Sequence, residues 1–233
     1  MAQYVPIGAW QHTLRILSGA KGWLGFKARK KLHRAYVARA LAHFEAMEGT
    51  LGPDDVCVDL GANYGTFTKR LAATGATVHA YEPDPDTFSI LKRNVGDLPN
   101  VVLHQEAVAQ AEGTLTLHRL AAQHASTAEK RSWGSSLIPS ERSSQSDGVM
   151  VKVVSFRQML AAIGGPIRIV KMDIEGSEVE ILQDIAKAPQ DYKIETLFVE
   201  THERQRPEQL NDVIRLRTAI AEFLRPDIHL YWP

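Results

Sequence analysis

Asp59, Gly61, Gly65 and Glu82 fall within one stretch, VCVDLGANYGTFTKRLAATGATVHAYE from Val56 to Glu82. Glycine permits a tight turn between a strand and a helix, and the helix start that follows offers unpaired N–H groups to an anion. Glu82 comes 23 residues after Asp59, close to the about 20-residue separation at which an acid on the second strand of a nucleotide-binding unit meets ribose hydroxyls. Read from Gly61 as G-x-G-x-x-G, the second and third glycine positions hold Asn63 and Thr66. Those glycines let backbone touch a pyrophosphate and let helix and strand approach closely. Side chains there disfavour a dinucleotide and make an NAD-linked oxidoreductase the poorer reading. The pattern suits a cofactor with a ribose and a free amino acid but no phosphate, and S-adenosylmethionine is such a molecule. Its ammonium is assigned to Asp59, its carboxylate to N–H donors around Gly61, Ala62, Asn63 and Gly65, and its ribose to Glu82. Thr66, Pro83 and Asp84 flank these stations, and Glu106 and Ala107, at the end of the third strand, border the adenine.

A second set of polar residues stands at two strand ends. In IRIVKMDIEGS an apolar run ends on Asp173 with Glu175 two residues on, and in TLFVETHE another ends on Glu200 with His202 two residues on. Residues i and i+2 of a strand share a face, and open α/β sheets bind ligands at the carboxyl ends of their strands. If the two strands are neighbours, all four side chains converge on the reaction side. Methyl transfer from a sulfonium is an in-line displacement, so alignment is the main task and is worth about 7 to 11 kcal/mol. A general base for an acceptor hydroxyl adds about 10²- to 10⁴-fold. His202, with an ordinary pKa near about 6.5, is expected as that base. Asp173 either replaces it or orients its ring, and Glu200 stands beside them. Glu175 is read as a first-turn helix acid favoured by the dipole, with acceptor contact as its other role. In HERQR position 206 is Arg, so H-E-x-x-H fails; these acids and the imidazole lack the spacing of a dedicated site, so no metal is assigned and Mg²⁺ is kept as the alternative.

The segments DLGANYGTFT, YEPDPDTFSILKRN, VVLHQEAV, KMDIEGSEVEIL and LFVETHE, in that order, resemble the FkbM-type S-adenosylmethionine-dependent methyltransferases. The likeness runs from about residue 54 to about 205, and KMDIEGSEVEIL is its most specific part. The resemblance implies a Rossmann-like class I methyltransferase fold with a seven-strand-type mixed sheet. It also implies O-methylation of a sugar, glycan or secondary-metabolite hydroxyl. The alternative from a different class is a non-catalytic cofactor-binding or scaffold protein that acts through its basic N-terminal arm.

The elements that must position these residues alternate strand and helix from Pro53 onward, which predicts an α/β, mostly parallel twisted sheet with helices on both faces. Strands are expected near 56–60, 77–82, 101–105, 114–119, 149–154, 167–173, 194–200 and 228–231. Helices are expected near 64–74, 84–95, 155–163, 178–187 and 207–224. Ser177 and Glu180 spell S-x-x-E, a capping box for the helix after KMDIEG. Residues 121 to 149 hold eight serines without a sustained period. Such a loop is read as a lid, with Trp133, Ser135 and Ser136 as acceptor contacts.

The domain is placed at 51–233 and an N-terminal basic helical arm at 1–50. Leu32, Tyr36, Val37, Leu41, Phe44 and Met47 recur at helical spacing with Lys30, Lys31, Arg34 and Arg39 between them. Residues 1 to 50 hold eight Lys and Arg against two Glu, a local +6 that leaves the remainder at −6. The apolar side of this helix is expected to cover the cofactor domain or a second subunit, the latter giving a homo-oligomer, with a polyanionic glycan or lipid headgroups as the alternative for its basic stripe. No RNA-binding motif accompanies the charge, so no nucleic-acid partner is assigned. No run approaches the about 20 apolar residues of a spanning helix. Cys57 is the single cysteine, which excludes an intramolecular disulfide and points to the reducing cytoplasm.

Overall fold

The computed structural model describes residues 9–18, 22–119, 148–202, 207–221 and 225–232. Two helices open the chain, α1 (Ala9–Ser18) and α2 (Gly22–Glu48), and lie against each other. Strand β1 (Val56–Leu60), helix α3 (Thr66–Ala73), β2 (Thr77–Tyr81), α4 (Pro85–Val95) and β3 (Val101–His104) follow as two βαβ units. After β4 (Ala107–Ala109), β5 (Gly113–Leu117) and β6 (Val149–Ser155) come α5 (Phe156–Ile163), β7 (Ile167–Met172), α6 (Glu178–Lys187) and β8 (Ile194–Val199). Helix α7 (Leu210–Ile220), entered through a 3₁₀ turn at Pro207–Gln209, and β9 (Asp227–His229) complete the described elements.

Six strands form one sheet in the order β3-β2-β1-β7-β8-β9, parallel at every pairing. This is the doubly wound α/β arrangement, with β1 and β7 at its centre. The expected seven-stranded mixed sheet is corrected in one respect. Strands β4, β6 and β5 leave the main sheet and form a separate three-stranded one, antiparallel between β5 and β6. The burial pattern gives the reason. Val151 and Val153 of β6 are buried while Met150 and Lys152 are exposed, the one-sided alternation of an outer sheet. By contrast β7 and β8 are buried almost throughout.

Alternation along the central strands divides the core in two. Val58, Leu60, Val170, Met172, Leu197 and Val199 face the side of α6 and α7. Cys57, Val78, Ile169 and Phe198 face the other side, where Leu71 of α3 and Ala40, Phe44 and Met47 of α2 meet them. Phe44 is fully buried and stands edge-on to Phe67 and Phe198. The C-terminal half of α2 is therefore a layer of the fold. Burial pushes the Cys57 thiol up to about 12, so it is an inert core side chain.

The S-x-x-E reading at Ser177 is also corrected, because the Ser177 side chain makes no capping bond. Glu178 occupies the neighbouring N–H groups instead. A capping box does form at Ser155 and Gln158, ahead of α5. Among the described residues no helix is long and apolar enough to cross a membrane. Trp133, Ser135 and Ser136 of the expected lid lie outside the described residues.

Candidate active site

The β1–α3 turn forms one wall of a cleft at the carboxyl ends of β1, β2 and β7. Gly61 has φ +71°, and a Cβ there would sit 1.8 Å from the Asp173 carbonyl oxygen. No other residue type fits so close a crossing of β1 and β7. Asn63, at the position where a dinucleotide fold has glycine, adopts φ +50°, a conformation Asn tolerates better than most residues. Its Oδ1 is buried without a hydrogen-bond partner among the described residues, and the residue lines the cleft.

The N–H groups of this turn are largely committed within the protein. Those of Gly61 and Ala62 donate to the Tyr81 carbonyl, at 3.0 and 2.9 Å, and that of Gly65 to Ala62. The Asn63 N–H donates to Glu82 Oε2 at 3.0 Å. The N–H groups left to an anion in this stretch are those of the first turn of α3, Thr66 to Thr68, where helix geometry gives them no i−4 acceptor. Ala62 is buried in a cluster with Leu91 and Val95 and shapes the turn.

Glu82 also accepts the Asp84 N–H, at 2.9 Å, and is 7% exposed. Burial pushes its carboxyl up to about 7, against the pull of those two N–H groups. Each oxygen keeps a lone pair beyond the one it uses on backbone, and the side chain lines the cleft beside Pro83, Glu106 and Ala107. Glu106 is paired with Lys152. Asp84 instead caps α4, accepting from Asp86 and Thr87 N–H, and holds Arg119 through bonds of 2.6 and 2.9 Å.

Asp59 stands behind the cleft wall. The β1–β7 register sets it opposite Lys171, whose ammonium lies 3.4 Å from its Oδ1, while the Thr68 hydroxyl donates to Oδ2 at 2.7 Å. At 1% exposure, the cation it meets is that of Lys171. This ammonium also donates to the Gly61 carbonyl at 2.8 Å and lies 3.6 Å from Asp173 Oδ2. Burial works to lower the pKa of Lys171, but Asp59 and Asp173 outweigh it and hold the group charged.

Because β7 and β8 are adjacent, their ends bring Asp173, Glu175 and His202 together, with Glu200 beside them. His202 Nε2 lies 3.3 Å from Glu175 and 3.6 Å from Asp173, and Nδ1 lies 3.2 Å from Glu178. The last is a contact at ion-pair distance without hydrogen-bond alignment. Burial opposes a charged ring, yet Glu178, Glu175 and Asp173 overcome it and push His202 up to about 10. At neutral pH the ring is an imidazolium, so it holds carboxylates and cannot accept a proton. Glu178, fully buried, fixes the loop by accepting the N–H groups of Ile174 at 2.9 Å and Gly176 at 2.8 Å.

Glu175 adopts φ +58° and turns into the cleft wall with Asp173. Burial pushes its carboxyl up to about 7, with His202 opposing and Asp173 reinforcing the rise. Burial, then Asp173, raises Glu200 to about 7 as well. Asp173 Oδ1 is buried without a hydrogen-bond donor among the described residues. Asp173, Glu178 and His202 each place one ligand-type atom within 4.8 Å of the others, as do His43, Asp227 and His229 at the β9 edge.

The cleft thus has an acid with spare lone pairs at its β2 end, apolar walls at Ala107, Val108 and Leu117, and two carboxylates on its β7 side. That donor set fits an adenosyl group joined to a cationic centre. Lys171 and Glu178 were not singled out from the sequence. A Lys two residues before Asp173, after the apolar pair Ile169 and Val170, was the available signal for the first, and the S-x-x-E pattern obscured the second.

Comparison with known sequences agrees. The ribosomal RNA small subunit methyltransferase A of Thermotoga neapolitana is 39% identical over 88 residues, 37% of this chain and 34% of that enzyme. The chain thus spans about a third of the length of that relative. The hexuronic acid methyltransferase AglP of Haloferax volcanii is 27% identical over 181 residues, 75% of this chain and 68% of AglP. Among solved structures, the N-terminal domain of human METTL16 in complex with SAH overlaps 81% of this chain and 61% of that one, at 15% identity and a TM-score of 0.34. The methyltransferase FkbM domain matches residues 59–224, and the chain belongs to this family of S-adenosylmethionine-dependent methyltransferases.

Proposed function

We propose that this chain methylates a hydroxyl of a sugar, a glycan or a secondary metabolite. The observation that carries the reading is the placement of Asp173 and Glu175 on one wall of the cleft that Glu82 closes at its other end. S-adenosylmethionine supplies a methyl on a sulfonium whose sulfur departs with the bonding electron pair as a neutral thioether. Glu82 holds the ribose hydroxyls with its remaining lone pairs, Pro83, Glu106 and Ala107 border the adenine, and the first turn of α3 at Thr66 receives the carboxylate. Asp173, whose Oδ1 lacks a donor, faces the cofactor's cationic side. Asp59 acts through Lys171, and Gly61, Ala62, Asn63 and Gly65 set the turn.

The acceptor hydroxyl needs a base as its oxygen bonds to the methyl carbon. Glu175 takes that proton, because a carboxyl raised to about 7 is ionised in useful amount near neutrality and still basic enough to accept. His202 and Glu200 are positioning residues in this scheme. The similarity to AglP supports a sugar acceptor, and the buried, unpaired Cys57 supports a reducing compartment such as the cytoplasm. Calorimetry with S-adenosylhomocysteine and with NAD is the first test. A mass-spectrometric screen of extracted glycans and metabolites for the gain of one CH₂ is the second. Binding of S-adenosylhomocysteine together with a methylated hydroxyl product is expected. Binding of NAD alone, or methylation only of nitrogen, overturns the reading.

A further inference from the structure

The N-terminal half of the α1–α2 hairpin has no sheet to cover. From Tyr36 onward the inner side of α2 is buried against the domain, but Trp23, Leu24 and Phe26 are 69%, 51% and 58% exposed. Trp10 and Ile16 of α1 are 51% and 68% exposed. Five of the ten large hydrophobic side chains exposed among the described residues therefore lie on this hairpin. An apolar surface so concentrated marks an interaction site.

Its chemistry is specific. Trp23, Lys27, Lys30 and Arg34 follow at i, i+4, i+7 and i+11, one stripe of a helix, and all four are exposed. The Lys27 ammonium lies 4.0 Å from the Trp23 ring centre, and that of Lys31 lies 5.6 Å from the ring of Trp10. Each helix thus contributes an indole to the patch, and α2 supplies the ammonium groups. No Asp or Glu precedes Glu45 in the chain.

We propose that this face docks the protein on an anionic lipid bilayer, with the indoles and aliphatic side chains at the headgroup boundary and the lysines on lipid phosphates. Indoles favour that boundary, and a basic amphipathic helix lies in its plane with the apolar side buried. A second copy of the chain fits poorly. A two-fold interface centred on this patch would set it against itself, cation on cation, with no acid before Glu45 in either hairpin to meet them. Charge also fixes the orientation. The net +6 of residues 1 to 50 is drawn to the surface while the net −6 of the remainder is repelled from it, so the catalytic domain stands away from the membrane.

The test is co-sedimentation of the full chain with vesicles of phosphatidylcholine alone and of phosphatidylcholine with about one third phosphatidylglycerol, repeated at raised salt. Binding is expected only to the anionic vesicles, with loss at high salt, because each cation near such a surface contributes about fivefold. Lys27→Glu/Lys31→Glu should weaken it by about 100-fold or more, since each exchange also adds a repelled charge. Trp23→Gln should weaken it while leaving far-ultraviolet dichroism and S-adenosylhomocysteine affinity unchanged, since the side chain is exposed. Brominated lipid should quench tryptophan emission in the wild type and much less in Trp10→Phe/Trp23→Phe. Failure to bind anionic vesicles, binding insensitive to the Lys reversals, or a concentration-dependent dimer that Trp23→Gln dissociates each overturns the proposal.

Discussion

Replacing Glu82 by Gln tests the cofactor assignment and the buried charge together. Its carboxyl is raised from 4.5 to about 7. At about 1.4 kcal/mol per pH unit, ionising it inside the fold costs about 3 kcal/mol more than in the unfolded chain. The sign follows from proton binding. Between 4.5 and about 7 the folded state holds a proton that the unfolded state has released, so this group's stabilisation is full below 4.5 and is lost as pH climbs to about 7. Gln has no such titration. Its amide accepts one of the two N–H groups of Asn63 and Asp84 and leaves the other facing a donor, which costs about 1 to 3 kcal/mol. Urea unfolding of the cofactor-free protein near about pH 5 and pH 8 should therefore show the wild-type advantage shrinking by about 3 kcal/mol at the higher pH. Hydrogen bonds from hydroxyls to a carboxylate are worth about 1.5 to 3 kcal/mol, so affinity for S-adenosylhomocysteine should fall about 10- to 100-fold in calorimetry. An affinity within about twofold of wild type would remove Glu82 from the ribose site. An unchanged pH slope would remove the argument about its charge.

Glu175→Gln should cut turnover by about 100-fold or more and abolish the rise in rate as pH passes through about 7; a variant that keeps the limb returns the base to another residue. Lys171→Met leaves Asp59 and Asp173 without their shared cation and should cost about 3 to 5 kcal/mol in urea unfolding; a loss below about 1 kcal/mol would mean the carboxylates find other partners. Gly61→Ala places a methyl 1.8 Å from a backbone oxygen at positive φ, and a stability loss of about 3 kcal/mol or more, or an insoluble product, is expected. His202 is raised from 6.5 to about 10, so its contribution is full below 6.5 and lost as pH rises toward 10. His202→Gln should remove that part of the alkaline decline in thermal midpoint, and an identical decline in the variant would show that the ring is not charged in the fold.

Elements with a strong period were legible without coordinates. The mainly apolar strands β1, β7 and β8 and the amphipathic helices α4 and α5 follow from residues close together in the chain. The acids after the two strand ends were also legible as a group, but β7 stops at Met172 and β8 at Val199, so loop geometry and not strand alternation brings Asp173, Glu175 and His202 together. Their roles were not legible. His202 has the ordinary pKa of a neutral-pH base until three carboxylates surround it, and two of these come from a loop that the spacing of ETHE says nothing about. Asp59 has the spacing of a cofactor acid until the β1–β7 register sets Lys171 against it. Strands β5 and β6 read as strands, but membership of a sheet depends on pairing partners far away in sequence.

The sequence by itself determined the α/β class, the Gly61 turn, the acid at Glu82 and the family, since each rests on local backbone chemistry or on ordered short motifs. The tertiary structure decided which carboxylates keep spare lone pairs and which are consumed by Lys171, Arg119 or backbone N–H groups. It also decided that the first helical turns of α2 stay exposed while the last ones are buried. The physical reason is the same in both cases. Solvation and charge pairing depend on what surrounds a group in space, and those neighbours arrive from chain segments that no local pattern connects.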